Sequence, residues 1–268
     1  MGDLLKRWHA ALSEQSPSAL ATVVEGPGIG GKILITPEDH VGTAGDDYLD
    51  RAIIEAARGM LEGGRTGTIH FGPRGQRRME DVAVFIQSFA PPPRMYVFGA
   101  IDFASAVARI GKFMGYRVTV CDARPVFATR ERFPTADEIV VAWPDEFLKT
   151  APVDKRTAIC VLTHDPKFDV PVLVEALKTE AGYIGAMGSR RTHNDRTARL
   201  KEEGVTEEDL SRISSPVGLD IGARTPEETS VAIAAEIIAL RTGHSGGRLA
   251  ERSGPIHATR PAARESAR

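Results

Sequence analysis

Hydrophobic and polar positions follow one pattern in the first 90 residues and another in the rest of the chain. Apolar residues recur at helical spacing from Leu4 to Leu12 and again from Leu49 to Met60. Four short apolar runs predict strands: "ALATVV", "KILI", "TGTIHF" and "DVAVFIQSF". This mixture predicts a small amino-terminal α+β domain.

From Arg94 onward, continuous apolar runs alternate with amphipathic segments. Predicted strands are "MYVFGA", "RVTVCD", "EIVVAW", "TAICVLTHD", "YIGAMGS" and "RISSPVG". Helices are predicted near residues 103–114, 169–179, 190–203 and 226–241. Such alternation is typical of an α/β fold, here a Rossmann-like, doubly wound parallel sheet with helices on both faces.

Two segments set the predicted domain boundaries. Three consecutive prolines in "APPPR" lack amide donors and favour an extended connection. The domains are therefore predicted at residues 1–90 and 91–243. Residues 244–268 are polar, arginine-rich and without a period, which predicts a disordered tail.

Composition excludes several classes of protein. The chain has 268 residues, 42% of them hydrophobic, and a net charge of −2, which gives no electrostatic basis for binding nucleic acid or membrane. No long apolar run or signal-peptide pattern occurs, so a cytoplasmic location is expected. Cys121 and Cys160 lie in apolar runs and predict reduced core thiols, and no zinc or other metal motif is visible.

The carboxyl ends of parallel strands are where such a fold binds ligands. The first of these turns begins at Gly99, but Ile101 stands where a dinucleotide-binding turn has its middle glycine, and Asp102 adds a negative charge. Asp122 lies 23 positions after Gly99, close to the spacing of a ribose-binding carboxylate. Two interpretations follow: an altered NAD(P) site, or a Rossmann fold kept only for structure.

The segment "YIGAMGSRRTHNDR" is the sharpest local signal. A strand leads through Gly185 and Gly188 to Ser189, a predicted N-cap, and then to Arg190 and Arg191 at the start of a helix. Free amides, the positive end of the helix and two guanidinium groups predict a phosphate or carboxylate site. The alternative is a capped helix with a solvated basic turn.

Two other strand ends carry candidate residues. His164 and Asp165 end the fourth predicted strand, and His164 is a candidate base or ligand, or simply a structural residue. "GLDIGARTPEE" contains a predicted capping box that starts at Thr225. Asp220 and Gly222 remain unexplained by that box and are candidates for contact with a ligand.

Two of these segments resemble the XdhC/CoxI family, the xanthine dehydrogenase accessory factors. They are "VLTHDPKFDVPVLVEALKTEAGYIGAMGSRRTHNDRTARL" and "SSPVGLDIGARTPEETSVAIAAEI". "TVVEGPGIGGKILIT" and "VGTAGDDYLDRAIIEAA" are similar to the family's amino-terminal domain. The resemblance extends over nearly the whole chain up to Thr242.

The resemblance implies a cofactor chaperone rather than a turnover enzyme. Such factors bind molybdenum cofactor (molybdopterin), work with a cysteine desulfurase and deliver the cofactor to a molybdenum hydroxylase; many are homodimers. It further implies that the Gly188–Arg191 segment contacts the cofactor phosphate, and that Asp220 and Gly222 line the pocket.

The chain also departs from the family pattern. Gly45-Asp46-Asp47 stands where the family commonly has Gly-Gly-Cys, and "RRMEDVAVF" stands near its Gly-Cys-Gly-Gly motif. The chain therefore resembles a divergent member of the family that lacks the amino-terminal cysteines. Three functions stay open: a maturation factor, an NAD(P)-dependent oxidoreductase, or a non-catalytic scaffold that has lost its ligand.

Overall fold

The computed structural model describes residues 2–76, 79–251 and 253. The chain divides into two compact units between Pro91 and Pro92. Within the described ranges, no helix combines the length and the apolar character needed to cross a membrane.

The amino-terminal unit is an antiparallel sheet with helices. Its elements, in chain order, are α1 (Gly2–Ser13), β1 (Ser18–Glu25), β2 (Lys32–Ile35), β3 (His40–Thr43), α2 (Asp47–Glu62), β4 (Gly67–Phe71) and β5 (Val82–Phe89). The strands are ordered β3-β2-β1-β5-β4. The predicted α+β class is confirmed, but β3 was missed because its residues are mostly exposed and show no apolar run.

Opposite faces of this sheet carry the two helices. The apolar stripe of α2 includes Leu49, Ile53 and Ala57, and it packs on inward-facing residues of β1, β2 and β5. On the other face, Trp8 of α1 packs with Leu20 and Leu34. Successive residues of a pleated strand face opposite sides of the sheet, so β1 and β2 are buried at most positions and contribute to both packing surfaces.

The carboxy-terminal unit alternates strands and helices. Its elements are β6 (Arg94–Phe98), α3 (Asp102–Phe113), β7 (Arg117–Asp122), β8 (Glu138–Val141), α4 (Pro144–Thr150), β9 (Ala158–Val161), α5 (Pro166–Leu177), β10 (Tyr183–Ala186), α6 (Arg190–Glu202), α7 (Glu207–Leu210), β11 (Ile213–Ser214), α8 (Pro226–Thr242) and a 3-10 turn (Leu249–Glu251).

All six strands of this unit are parallel and ordered β11-β10-β9-β6-β7-β8. The chain starts at β6, moves outward to β8, and returns to β9 on the other side of β6. This is the Rossmann order, and its topological switch point lies between β6 and β9.

Helices cover both faces of the parallel sheet. One core cluster joins α3 and α8 to inward-facing residues that include Val97 and Cys160. The other joins α4, α5 and α6 to residues of the opposite face, including Phe98 and Val161. The predicted doubly wound α/β sheet is confirmed, and its strands are apolar because both faces are buried.

Two short helices, α4 and α7, were not predicted. Both have start signals in the sequence: Pro144 occupies the first turn of α4, and Thr206 caps α7 by accepting from the Asp209 amide. Of the predicted tail, residues 252 and 254–268 lie outside the described residues. The segment before them contains the Leu249–Glu251 turn.

Replacing Leu173 by alanine is expected to lower the free energy of unfolding by roughly 2–5 kcal/mol, because the fully buried side chain leaves a cavity between α5 and the sheet. Urea unfolding measures the loss. Leu240→Ala, on an exposed position of α8, is the control and should shift the midpoint little. Equal losses in both variants would contradict the assignment of Leu173 to the core.

Candidate functional site

An open cleft of about 360 Å³ lies beside the switch point, at the carboxyl ends of β9, β10 and β11. Residues from several segments line it, among them Phe103, His164, Gly188, Ser189, Val217 and Thr229. Open α/β sheets bind ligands at this place because the strand-to-helix loops diverge there. The cleft is therefore the candidate binding site of this unit.

Three helices begin at the cleft. Phe103 belongs to the first turn of α3, Ser189 caps α6, and Thr229 belongs to the start of α8. Helix amino termini favour anions, but α3 and α8 carry acidic residues in their first turns, whereas α6 carries none. The α6 end is thus the place where an external anion meets the least repulsion.

The start of α6 has the cap that the sequence predicted. The Ser189 hydroxyl accepts from the Thr192 amide at 3.2 Å, which ends the preceding loop and begins the helix. Arg190 and Arg191 follow it and are exposed, and neither forms an ion pair within the described residues. Gly188 and Ser189 line the cleft, and the two arginines follow them directly in the chain without being among its lining residues.

A buried ion pair lies under this loop, and the sequence analysis missed it. Arg196 donates to Asp169 at 2.8 Å, and both side chains are nearly inaccessible to solvent. The same guanidinium donates to the Met187 carbonyl at 2.7 Å and to the Ser215 hydroxyl at 3.3 Å. Burial raises the pKa of Asp169 to about 6, against the opposing effect of the Arg196 charge.

A signal for this pair was present but weak. Arg196 lies two turns after Ser189, so the two residues lie on the same face of the predicted helix. Asp169 lies one turn after Asp165 in a predicted helix. The sequence places each residue on a helix, but it does not show that α5 and α6 lie side by side.

In the first strand-to-helix turn, the backbone of Gly99 lies close to Thr163. Gly99 has φ of +97°, and a Cβ atom there would lie 3.0 Å from the Thr163 amide nitrogen. Ile101 is the N-cap of α3 without a side-chain hydrogen bond, and it packs against the core. Gly99 therefore has a structural reason to be glycine, independent of any cofactor.

Asp122 is buried and already has partners. Its carboxylate accepts from the Ala100 amide at 2.7 Å and from the amide and guanidinium of Arg124 at 2.9 Å. Burial alone would raise the pKa of Asp122, but the bonds from Arg124 and Ala100 outweigh it and hold the pKa below its ordinary value. Ribose recognition by Asp122 would have to displace Arg124.

His164 and Asp165, in the loop between β9 and α5, differ in position. His164 is exposed and lines the cleft, and its role toward a ligand stays a prediction. Asp165 caps α5 through a bond from the Lys167 amide at 3.1 Å, and that bond first, then the Lys167 side chain, lowers the pKa of its carboxyl. Asp165 therefore has a structural role that sequence spacing alone did not reveal.

The remaining predicted residues divide between the sheet and an exposed loop. Gly185 lies inside β10, where a Cβ atom would lie 2.6 Å from the Tyr183 hydroxyl. Asp220 and Gly222 are exposed on the loop before α8 and are not among the residues that line the cleft. Arg224, which the sequence analysis did not select, lines it instead. The predicted capping box of Thr225 and Glu228 is confirmed.

Both cysteines are free and buried, as their apolar surroundings predict. Burial, with a smaller contribution from the neighbouring carboxylates, raises the pKa of each thiol to about 12, so both stay protonated near neutral pH. Among the described residues, no cluster of three or more His, Cys, Asp or Glu side chains forms a metal site.

Two family models match the chain. The model for the XdhC Rossmann domain matches residues 95–237, and the model for the XdhC and CoxI family matches residues 11–72. The first match runs from within β6 into α8 and includes every residue that lines the cleft.

Curated relatives and a solved structure are also similar to the chain. A probable xanthine dehydrogenase subunit from Bacillus subtilis is 35% identical over 59% of this chain and 46% of the relative. The molybdenum cofactor insertion chaperone PaoD from Escherichia coli is 29% identical over 59% of this chain and 43% of that protein. The matches therefore span less than half the length of these relatives.

The solved structure supports the fold alone. It is a xanthine dehydrogenase from Bacillus halodurans, 20% identical, with a TM-score of 0.52 over 88% of this chain and 95% of that chain.

Asp169→Asn is expected to lower the free energy of unfolding by roughly 3–5 kcal/mol at neutral pH, because it leaves the buried Arg196 charge without its counterion. Urea unfolding measures the change. Glu227→Gln breaks the exposed pair with Arg109 and should have little effect. A similar loss of unfolding free energy in both variants would show that the buried Asp169–Arg196 pair contributes no more to stability than the exposed pair.

Acidification should remove the stability that Asp122 supplies. The pKa of Asp122 is lower in the folded chain than the ordinary 3.8. Its contribution to the free energy of unfolding is therefore present above pH 3.8 and is lost as pH falls through the folded pKa. The difference in unfolding free energy between the wild type and Asp122→Asn should shrink over this window. A difference that stays constant with pH would contradict the lowered pKa.

Proposed function

Because the chain belongs to the XdhC and CoxI family, we propose that it is a maturation factor that binds molybdenum cofactor and assists its insertion into a molybdenum hydroxylase. The proposal extends to this chain what the name of PaoD says of that protein. The observation that carries it is the start of α6, where free amides and two arginines adjoin a cleft at the switch point.

The chemistry of this end of the cleft suits the phosphate of a pterin cofactor. A phosphate gains hydrogen bonds from unpaired amides at a helix amino terminus and from guanidinium groups. Arg190 and Arg191 supply those groups, and the first turn of α6 adds no carboxylate. Arg224 lines the same cleft and brings a third guanidinium-bearing residue to it.

A role for the thiols in holding molybdenum or in relaying sulfur does not fit. Cys121 and Cys160 are buried and protonated, and a buried thiol is a poor nucleophile and metal ligand. When bound, the cofactor would supply the molybdenum centre that the client hydroxylase uses. In this proposal the residues of the chain bind the cofactor and shield it, and a separate cysteine desulfurase supplies sulfur.

The NAD(P)-dependent alternative has weaker support. Ile101 occupies the position of the middle glycine, and the Asp122 carboxylate is held by Ala100 and Arg124. Both features oppose a dinucleotide in its usual pose. A scaffold without a ligand would leave the basic start of α6 without a function.

The proposal also includes the setting in which the chain works. A cytoplasmic location and a molybdenum hydroxylase client follow from the role of a maturation factor. A homodimer is the arrangement that the family resemblance implies.

Replacing Arg190 and Arg191 together by alanine should weaken binding of molybdenum cofactor by about tenfold or more, because charge-assisted hydrogen bonds to the phosphate are lost. Calorimetric titration with cofactor released from a purified hydroxylase measures the affinity. Native mass spectrometry of the protein from a cofactor-producing host identifies the bound species.

Arg199→Ala with Lys201→Ala is the matched control, because it removes two positive charges from the last turn of the same helix. This control should bind the cofactor with unchanged affinity. Equal affinity of the wild type and the Arg190/Arg191 variant would contradict the proposed site. A nicotinamide nucleotide as the bound species would favour the oxidoreductase, and a bare polypeptide the scaffold.

A further inference from the structure

The buried guanidinium of Arg196 makes contacts that bear on the cleft. It approaches the loop after β10 from the sheet face covered by α5 and α6, where Asp169 holds it. The Met187 carbonyl points toward it and accepts at 2.7 Å. The Met187 side chain lies on the other face, in the core cluster of α3 and α8, and lines the cleft.

The geometry of the peptide unit fixes where the next amide points. The peptide between Met187 and Gly188 is trans, so its carbonyl and its N–H point in opposite directions. Since the carbonyl is directed to Arg196, the Gly188 N–H is directed to the opposite face, which is the side of the cleft. Within the described part of the chain, this N–H has no hydrogen-bond partner.

A side chain at position 188 would crowd its neighbours. Gly188 has φ of +152°, and a Cβ atom there would lie 3.0 Å from the Thr192 side chain and 3.6 Å from the Arg196 guanidinium. Arg196 also donates to Ser215, which directly precedes the cleft residue Pro216. One side chain therefore connects the loops after β10 and β11 to α5.

We propose that Arg196, held by Asp169, is a positioning residue that turns the Met187–Gly188 peptide so that the Gly188 N–H donates to an anionic group of the ligand in the cleft. This inference rests on the proposed function, since it adds a backbone donor to the same anion site. It gives the buried Arg196–Asp169 pair a role in ligand recognition, although neither side chain touches the ligand.

The test uses inorganic phosphate as the probe and the Gly188 amide resonance as the readout. In the wild type, phosphate should shift the Gly188 amide proton in a saturable way. Arg196→Lys keeps a positive charge beside Asp169, but its single nitrogen cannot replace the two guanidinium nitrogens, of which Nη2 donates to Asp169 and Met187 and Nη1 donates to Ser215. This variant should bind phosphate about tenfold more weakly by the same signal.

Arg212→Lys is the matched control. Arg212 also donates to two backbone carbonyls, those of Leu177 and Thr179, but it does not line the cleft. Its variant should keep the wild-type response to phosphate. An unchanged response in Arg196→Lys, or an equal loss in both variants, would overturn the positioning role.

Hydrogen exchange in the unmodified protein gives a second measurement that does not depend on the folding of a variant. Phosphate should slow exchange of the Gly188 amide, and an unchanged rate would overturn the proposed donor. Failure of the proposed function looks different: phosphate would act on Gly188 as described, while molybdenum cofactor would not bind the wild type.

Discussion

The geometry of the cleft depends on the hydrogen bonds that the Arg196 guanidinium donates. This group binds a carboxylate on α5, a carbonyl after β10 and a hydroxyl after β11. These segments are distant in sequence, and a buried charge must have such partners to be tolerated. Satisfying that one charge therefore fixes the loop that begins α6 and the backbone that faces the cleft.

In the proposed site, an anion would be bound by backbone amides at the start of a helix and by guanidinium groups. Three helices begin at the rim of the cleft, and acidic residues offset the positive ends of two of them. The third, α6, adds Arg190 and Arg191 to its free amides. This distribution suits the binding and release of an anionic cofactor, and it requires neither a reactive thiol nor a metal ligand.

Contacts within the fold account for some of the predicted site residues. Gly99, Asp122 and Asp165 stood out at strand ends, yet each has a partner or a close contact within the fold. Such residues occur at strand ends for two reasons. Turns and helix caps require them, and ligand contacts require them as well. His164 and Gly188, by contrast, line the cleft. A contact with a ligand cannot be told from a contact within the fold before the neighbours are known.

The sequence by itself determined most of the helices and strands and two of the helix caps. Apolar runs and helical stripes predicted the parallel sheet, the smaller α+β unit and the caps at Ser189 and Thr225, because these features depend on residues within a few positions of one another. Only the tertiary structure decided which candidate residues share a site. The order of strands placed β9 beside β6, with β10 and β11 following it toward the edge, and the packing of α5 on α6 joined Asp169 to Arg196. Both relations join residues far apart in the chain, and no local periodicity encodes such a contact.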